Sequence, residues 1–286
     1  MISHMEGDMK IYISADIEGI CGVVNQEQTT LDGKDYAYAR NLMVKEVNAA
    51  IEGAIEGGAK EIVVCDAHSH QFNMLPDLLH KSAFLVTGSP KPHSSMLERL
   101  DSSFDGVFFV GYHSRAGTQN GVLNHTSFAK EVQEVRFNGT VLGEIGINAA
   151  LAGYYRVPVC LVTGDKVTIE EAESLLRNVK TAVVKEGIGR YAAMCVHPEI
   201  AREKIRASAK KAVIEIDREC FYRVSPPVTL EIEFSSSAMA DMVQLIPRVT
   251  RMGDREIKYI GDDFFEVYKL FRASLLLAHS AMDKYY

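Results

Sequence analysis

Three short apolar runs in this chain each end in side chains that can ligate metals. KIYISADIEG (10–19) delivers Asp16 and Glu18. EIVVCDAHSH (61–70) delivers Asp66, His68 and His70, and GVFFVGYHSR (106–115) delivers His113. A carboxylate–imidazole set without a ligand thiol suits zinc, manganese or iron. In an extended chain Asp16 and Glu18 share one side while Ile17 faces away. Two carboxylates that close repel unless cations or protons intervene, and one of them can bridge two divalent ions.

Each residue also has a plainer reading. Asp16 could cap a strand-end turn through Gly19. His68 is the expected ligand of its run, with Asp66 as the acceptor that orients an imidazole and His70 as a weaker candidate of the same kind. Gly111 permits close backbone approach beside His113. Glu144 follows Gly143 at a helix start, where an acid is favoured with or without a metal, but it could also supply a carboxylate to a second ion. His125 lies in a polar loop with no strand behind it. It suits a mobile role, donating a proton or stabilising an oxyanion, better than a rigid ligand role. His80, His93, His197 and His279 read as structural.

Placing these groups together requires parallel strands. The runs are short, rich in Ile, Val and Phe, and closed by polar residues or Gly, as buried strands are. Sites in open parallel sheets form beyond the carboxyl ends of strands. Between the first two runs, Met43, Val47, Ile51 and Ile55, widened by Ala50 and Ala54, predict a helix over 34–57 that Gly57-Gly58 stops. That is a βαβ unit with a right-handed crossover. A short helix near 75–80, a strand at 83–88, a helix near 94–100 and a strand at 107–111 continue the alternation. A hairpin turns at Asn138-Gly139 within 131–143. Helix 144–155, strand 158–165, helix 168–178 capped by Thr168, strand 181–185 and helix 198–213 follow.

Ser225-Pro226-Pro227 reads as a linker. Beyond it, a strand at 229–234, a helix near 236–245, a strand near 255–260 and a helix near 264–282 make a β-α-β-α tail. The expected fold class is therefore α/β, a mostly parallel sheet with helices on both faces, plus a smaller α+β C-terminal lobe. The expected domains are 9–224, with a hairpin insert at about 114–143, and 225–286.

Composition narrows the function. The 286 residues carry a net charge of −7, with 47% hydrophobic and 24% charged residues. That balance offers no electrostatic footprint for nucleic acid and no basic face for a membrane surface. Five scattered cysteines without a CxxC pair read as free thiols in a reducing cytoplasm. The polar start MISHMEGD reads as a leader before Met9, which removes His4 from the ligand candidates. GxGxxG, GxxxxGK[ST], HExxH and GxSxG are all missing, so nucleotide binding by those routes, the zinc-helix protease design and the serine-hydrolase elbow have no support.

The ordered set SADIEGICGV, VCDAHSH, FFVGYHSRAGT, GVLNHT and VLGEIGINAALAGYY resembles the zinc-dependent D-aminopeptidase family, whose S-x-D-x-E-G signature stands here as Ser14 to Gly19. The resemblance implies two zinc ions per chain. Asp16 would bridge them, Glu18 and His68 would complete one site, and His113 and Glu144 the other. It makes His125 the catalytic histidine. It also implies short peptides containing D-residues as substrates and a ring-shaped homo-oligomer. Two other readings stay open: another dinuclear hydrolase such as a phosphoesterase, for which Arg115 could hold an anion, and a non-catalytic peptide-binding accessory of a transporter.

Overall fold

The computed structural model describes residues 8–281, so the leader up to residue 7, His4 and residue 282 lie outside the described residues. The first sheet contains β1 (Lys10–Ala15), β2 (Glu61–Asp66), β3 (Ala83–Val86), β4 (Gly106–Val110), β7 (Val159–Asp165), β8 (Lys180–Gly189) and β9 (Ala192–Cys195). Their order is β3-β2-β1-β4-β7-β8-β9. Every pair is parallel except β8 with β9. The chain leaves β1 through α1 (Tyr36–Gly57) to β2 on one side and later returns to β4 on the other. The switch point therefore lies at β1, where the carboxyl ends of β2, β1 and β4 stand side by side.

The central strands β1, β4 and β7 are buried on both faces, as parallel strands covered on both sides must be. Along β1, Ile11, Ile13 and Ala15 enter a core with α1 and α4 (Pro198–Ile214), while Tyr12 enters a second core on the opposite face. Met43, Val47, Ile51, Ala50 and Ala54 of α1 are buried, but Ile55 is exposed, so the stripe stops short of the helix end.

The second core is shared with an antiparallel sheet. Its strands are β5 (Val132–Phe137), β6 (Thr140–Val141), β10 (Val228–Phe234), β11 (Thr250–Arg251) and β12 (Glu256–Gly261), in the order β11-β12-β10-β5-β6. Asn138 and Gly139 have φ of 50° and 79°, the signs a type I′ hairpin turn requires. β5 of this hairpin pairs with β10, so the hairpin region and the C-terminal strands build one sheet. Val228, Leu230, Ile232 and Phe234 alternate inward and share their core with Phe264, Tyr268 and Phe271 of α6 (Phe264–Ser280). The remaining helices are α2 (Glu144–Tyr154), α3 (Lys166–Leu175) and α5 (Ser237–Val243).

Several local expectations need correction. The segments near 75–80 and 94–100 form only single 3₁₀ turns, Pro76–Leu78 and Ser95–Leu97. In the second case Ser95 (φ 49°) and Arg99 (φ 75°) take left-handed backbone, which a right-handed helix does not contain. The cap of α3 is Asp165, whose Oδ1 accepts from the amide of Thr168 at 2.9 Å, because the helix starts at Lys166. β8 runs on to Gly189 and folds back onto β9, an edge hairpin that 181–185 alone did not reveal.

Gly19 and Gly111 let the ends of β1 and β4 touch. A Cβ on Gly19 would lie 1.9 Å from the Tyr112 carbonyl oxygen, and one on Gly111 (φ 72°) 2.3 Å from that of Asp16. Gly19→Ala should cost on the order of 3 kcal/mol and lower the melting temperature by roughly 5–10 °C. Gly253→Ala, with open space around its Cβ, should stay within roughly 0.5 kcal/mol of the parent. Calorimetry of the two variants checks the contrast.

Candidate metal centre

β1 ends at Ala15, and the amide of Asp16 donates to the Val110 carbonyl at 2.8 Å. The chain then turns instead of extending: Ile20 N donates to Ile17 O (3.1 Å) and Gly19 N to Gly111 O (2.8 Å). Glu18 thus stands on a turn, which replaces the expected extended alternation. A fully buried lysine fastens this turn. Lys185 Nζ, reaching in from β8, donates to the carbonyls of Glu18, Ile20 (2.9 Å) and Val23 (2.6 Å). Burial pushes its pKa below the usual lysine range.

The Asp16 carboxylate stands between two imidazoles. Its Oδ1 is 3.3 Å from His68 Nδ1, and its Oδ2 is 3.6 Å from His113 Nε2. Glu18 Oε2 is 3.1 Å from His68 Nδ1. Glu144 Oε1 is 3.3 Å from His113 Nε2 and 3.6 Å from His125 Nε2. Two ligand-atom groups result, Asp16/Glu18/His68 and His113/His125/Glu144, each with all atoms within 4.8 Å of one another.

Backbone carbonyls orient the rings. His68 Nε2 donates to Thr29 O at 2.7 Å, His113 Nδ1 to Ser114 O at 3.0 Å, and His125 Nδ1 to Leu123 O at 2.9 Å. A carbonyl only accepts, so the opposite nitrogen of each ring faces the carboxylates and is available as a ligand. Glu18 Oε2 and His113 Nε2 are buried without a hydrogen-bond partner. Acceptors aimed at acceptors inside a protein call for positive charge between them. The donor set and its orphaned atoms fit divalent cations.

Without cations, protons must play that part. Burial, and then Glu18, raise Asp16 to about 7. Burial opposes charge on every group here, yet Glu144 outweighs it at His113 and raises that ring to about 10. Glu18, helped by Asp16, likewise takes His68 well above the usual range. Against the same burial, His68 brings Glu18 well below its usual range, and His113 brings Glu144 down to about 2. Burial lowers His125, and the neighbouring His113 lowers it further.

Six of the eight expected residues therefore meet. Asp66 does not reach an imidazole: its carboxylate accepts from Asn73 Nδ2 (2.7 Å) and Met74 N (2.6 Å), and so ties down the loop behind His68. The ring is oriented by Thr29 instead. His70 is exposed and stacks on Phe72. His125 is packed in place within its loop. It stacks on His113 with ring centroids 4.0 Å apart.

Sequence reasoning also passed over the supports. A relay runs from Asn148 Nδ2 to Tyr112 Oη (3.0 Å) to Ser14 Oγ (2.7 Å) to Met96 O (2.8 Å), and it fixes the ends of β1 and β4 from below. Lys185 had one visible signal, a lone cation in the apolar run TAVVKEG. Thr29 had none.

Fold and site together define an α/β protein with a carboxylate–imidazole centre at the switch point of its parallel sheet. Residues 9–273 match the D-aminopeptidase family of peptidases, and the chain belongs to that family. It is 36% identical over 277 residues to a D-aminopeptidase of Bacillus subtilis (strain 168), covering 96% of this chain and 98% of that protein. Its fold superposes with a TM-score of 0.91 on the Zn-dependent D-aminopeptidase DppA from Bacillus subtilis, described as a self-compartmentalizing protease. Sequence identity there is 33%, over 97% of this chain and all of that one.

Asp16 touches both histidines, so Asp16→Ala should deplete metal from both groups and remove activity. Elemental analysis checks this; a variant that retains two ions per chain would contradict a bridging position.

Proposed function

We propose that the chain is a dinuclear zinc aminopeptidase that removes the N-terminal residue of short peptides containing D-amino acids. The observation that carries the reading is the pair of buried, unpartnered ligand atoms, Glu18 Oε2 and His113 Nε2, on either side of the Asp16 carboxylate. Asp16, Glu18 and His68 would hold one cation, and Asp16, His113 and Glu144 the other. Two bound zinc ions would supply Lewis acidity towards the scissile carbonyl and a water acidic enough to attack it near neutral pH. Membership of the D-aminopeptidase family supports a peptide substrate with D-residues.

His125 moves the proton. Its Nδ1–H is committed to the Leu123 carbonyl, so Nε2 is the working atom. Burial and His113 keep the ring neutral, which lets Nε2 accept a proton during attack and return it to the departing amine. Glu144 Oε1, 3.6 Å away, steadies the protonated ring in between. Ser127 N, donating to that same oxygen at 2.7 Å, fixes the carboxylate.

The reading extends to assembly and location. A ring-shaped homo-oligomer is supported by the self-compartmentalizing description of the Bacillus relative. Among the described residues no helix is long and apolar enough to cross a membrane. With free thiols throughout, we place the protein in the cytoplasm.

A panel of dipeptides in both chiralities, run with and without a chelator alongside p-nitrophenyl phosphate, tests the activity. Chelator-sensitive release of an N-terminal D-residue is expected, for instance from D-Ala-D-Ala. Preferential phosphate ester hydrolysis would favour a phosphoesterase, and no turnover a binding protein. His125→Ala should keep its metal content but lose roughly 10²–10⁴-fold in kcat, the usual contribution of general acid–base catalysis. A loss of only about twofold would leave Nε2 without that role.

A further inference from the structure

Behind the Glu18 turn lies a second reactive cluster, which the peptidase reading does not use. Cys21 sits on the loop that Lys185 fastens, and Cys195 ends β9 on the edge hairpin. Cys21 is 1% exposed, whereas Cys195 is open to solvent. Cys21 Sγ donates to the carbonyl of Val196, the residue that follows Cys195, at 3.1 Å. Cys195 stands opposite Lys185 in the β8–β9 pairing, and the Lys185 ammonium holds the carbonyls of Ile20 and Val23 on either side of Cys21.

Two further charged groups face the pair from α1 and α4. Glu46 is buried, accepts from Cys21 N at 2.9 Å through Oε1, and has no partner for Oε2. Arg202 lies beyond Glu46. The neighbouring Cys21 thiol, against the effect of burial, lowers the Cys195 thiol to about 6. Cys195, with burial, drives the Cys21 thiol far above its usual range.

We propose that Cys195 and Cys21 form a peroxide-responsive dithiol, an exposed attacking thiolate backed by a buried resolving thiol. Exposure, hydrogen-bond donors and a nearby cation are the surroundings that make a cysteine reactive, and an adjacent thiol is what carries the reaction on to a disulfide. Cys195 Sγ attacks one oxygen of hydrogen peroxide and the O–O bond breaks. The departing hydroxide takes a proton and leaves as water, and Cys195 becomes a sulfenic acid. Cys21 Sγ then attacks the sulfenic sulfur. The S–O bond breaks, and the hydroxyl leaves as a second water with the Cys21 proton. In sum, two thiols lose two electrons and two protons, and one peroxide becomes two waters. The new bond ties the Glu18 turn to the β8–β9 hairpin.

The test uses the full chain treated with hydrogen peroxide, alkylated, digested without reductant and mapped by mass spectrometry. A Cys21–Cys195 linked peptide that dithiothreitol separates is expected. Cys21→Ser should stop at a Cys195 sulfenic acid that dimedone traps, and Cys195→Ser should leave Cys21 unmodified. Before oxidation, iodoacetamide at pH 7 should alkylate Cys195 several-fold faster than Cys220. Equal alkylation of Cys195 and Cys220, or oxidation that never links Cys195 to Cys21, would overturn the proposal.

Discussion

Three carboxylates, Asp16, Glu18 and Glu144, converge on His68 and His113 with all five side chains buried. That crowding of negative charge is the constraint on which the rest of the structure depends. Carboxylates removed from water and left facing one another are costly, and only positive charge between them makes the arrangement tolerable. Protons on the imidazoles meet the demand in part, as the raised histidines and depressed glutamates record. Divalent cations meet it better, because the ring nitrogens that face the carboxylates would then act as ligands instead of competing for protons.

Holding such a cluster together requires a rigid frame, and the frame is mostly main chain. Parallel pairing brings the ends of β2, β1 and β4 level. Carbonyls of Thr29, Ser114 and Leu123 fix the three rings. Two buried lysines do the complementary work on the loops. Lys185 gathers three carbonyls of the Glu18 turn, and Lys91 donates to the carbonyl of Asp66 at the end of β2. A buried ammonium is expensive unless its donors are taken. The position of Lys185 therefore depends on the turn as much as the turn depends on Lys185, and the two define one geometry.

Four residues of the candidate centre were legible because each closes an apolar run, and strand ends in a parallel sheet are where sites form. Asp16, Glu18, His68 and His113 were found that way. Glu144 and His125 rested on the family resemblance, since an acid in a first helical turn and a histidine in a polar loop each have an ordinary explanation. The partners of these residues were not legible. Asp66 lies beside His68 in sequence, yet it braces Asn73 and Met74, while the distant Thr29 orients the ring. Nothing in local spacing reports which carbonyl will pass within reach of an imidazole. The 3₁₀ turn at Ser95–Leu97 was misread for a related reason, because local spacing does not report that Ser95 and Arg99 take left-handed backbone.

The same physics gives His125 its character. It lies against His113 with the ring planes only 14° apart, so positive charge on or near His113 disfavours a second charge on His125. Glu144, within reach of both rings, works in the opposite direction. A ring held neutral by one neighbour and able to be steadied as a cation by another can both accept and release a proton without leaving its place. The stacking that packs this loop histidine against His113 would thus suit Nε2 to the proposed proton transfer. In the proposed acid–base role, the demand falls on the balance of Glu144 against His113 around His125 Nε2.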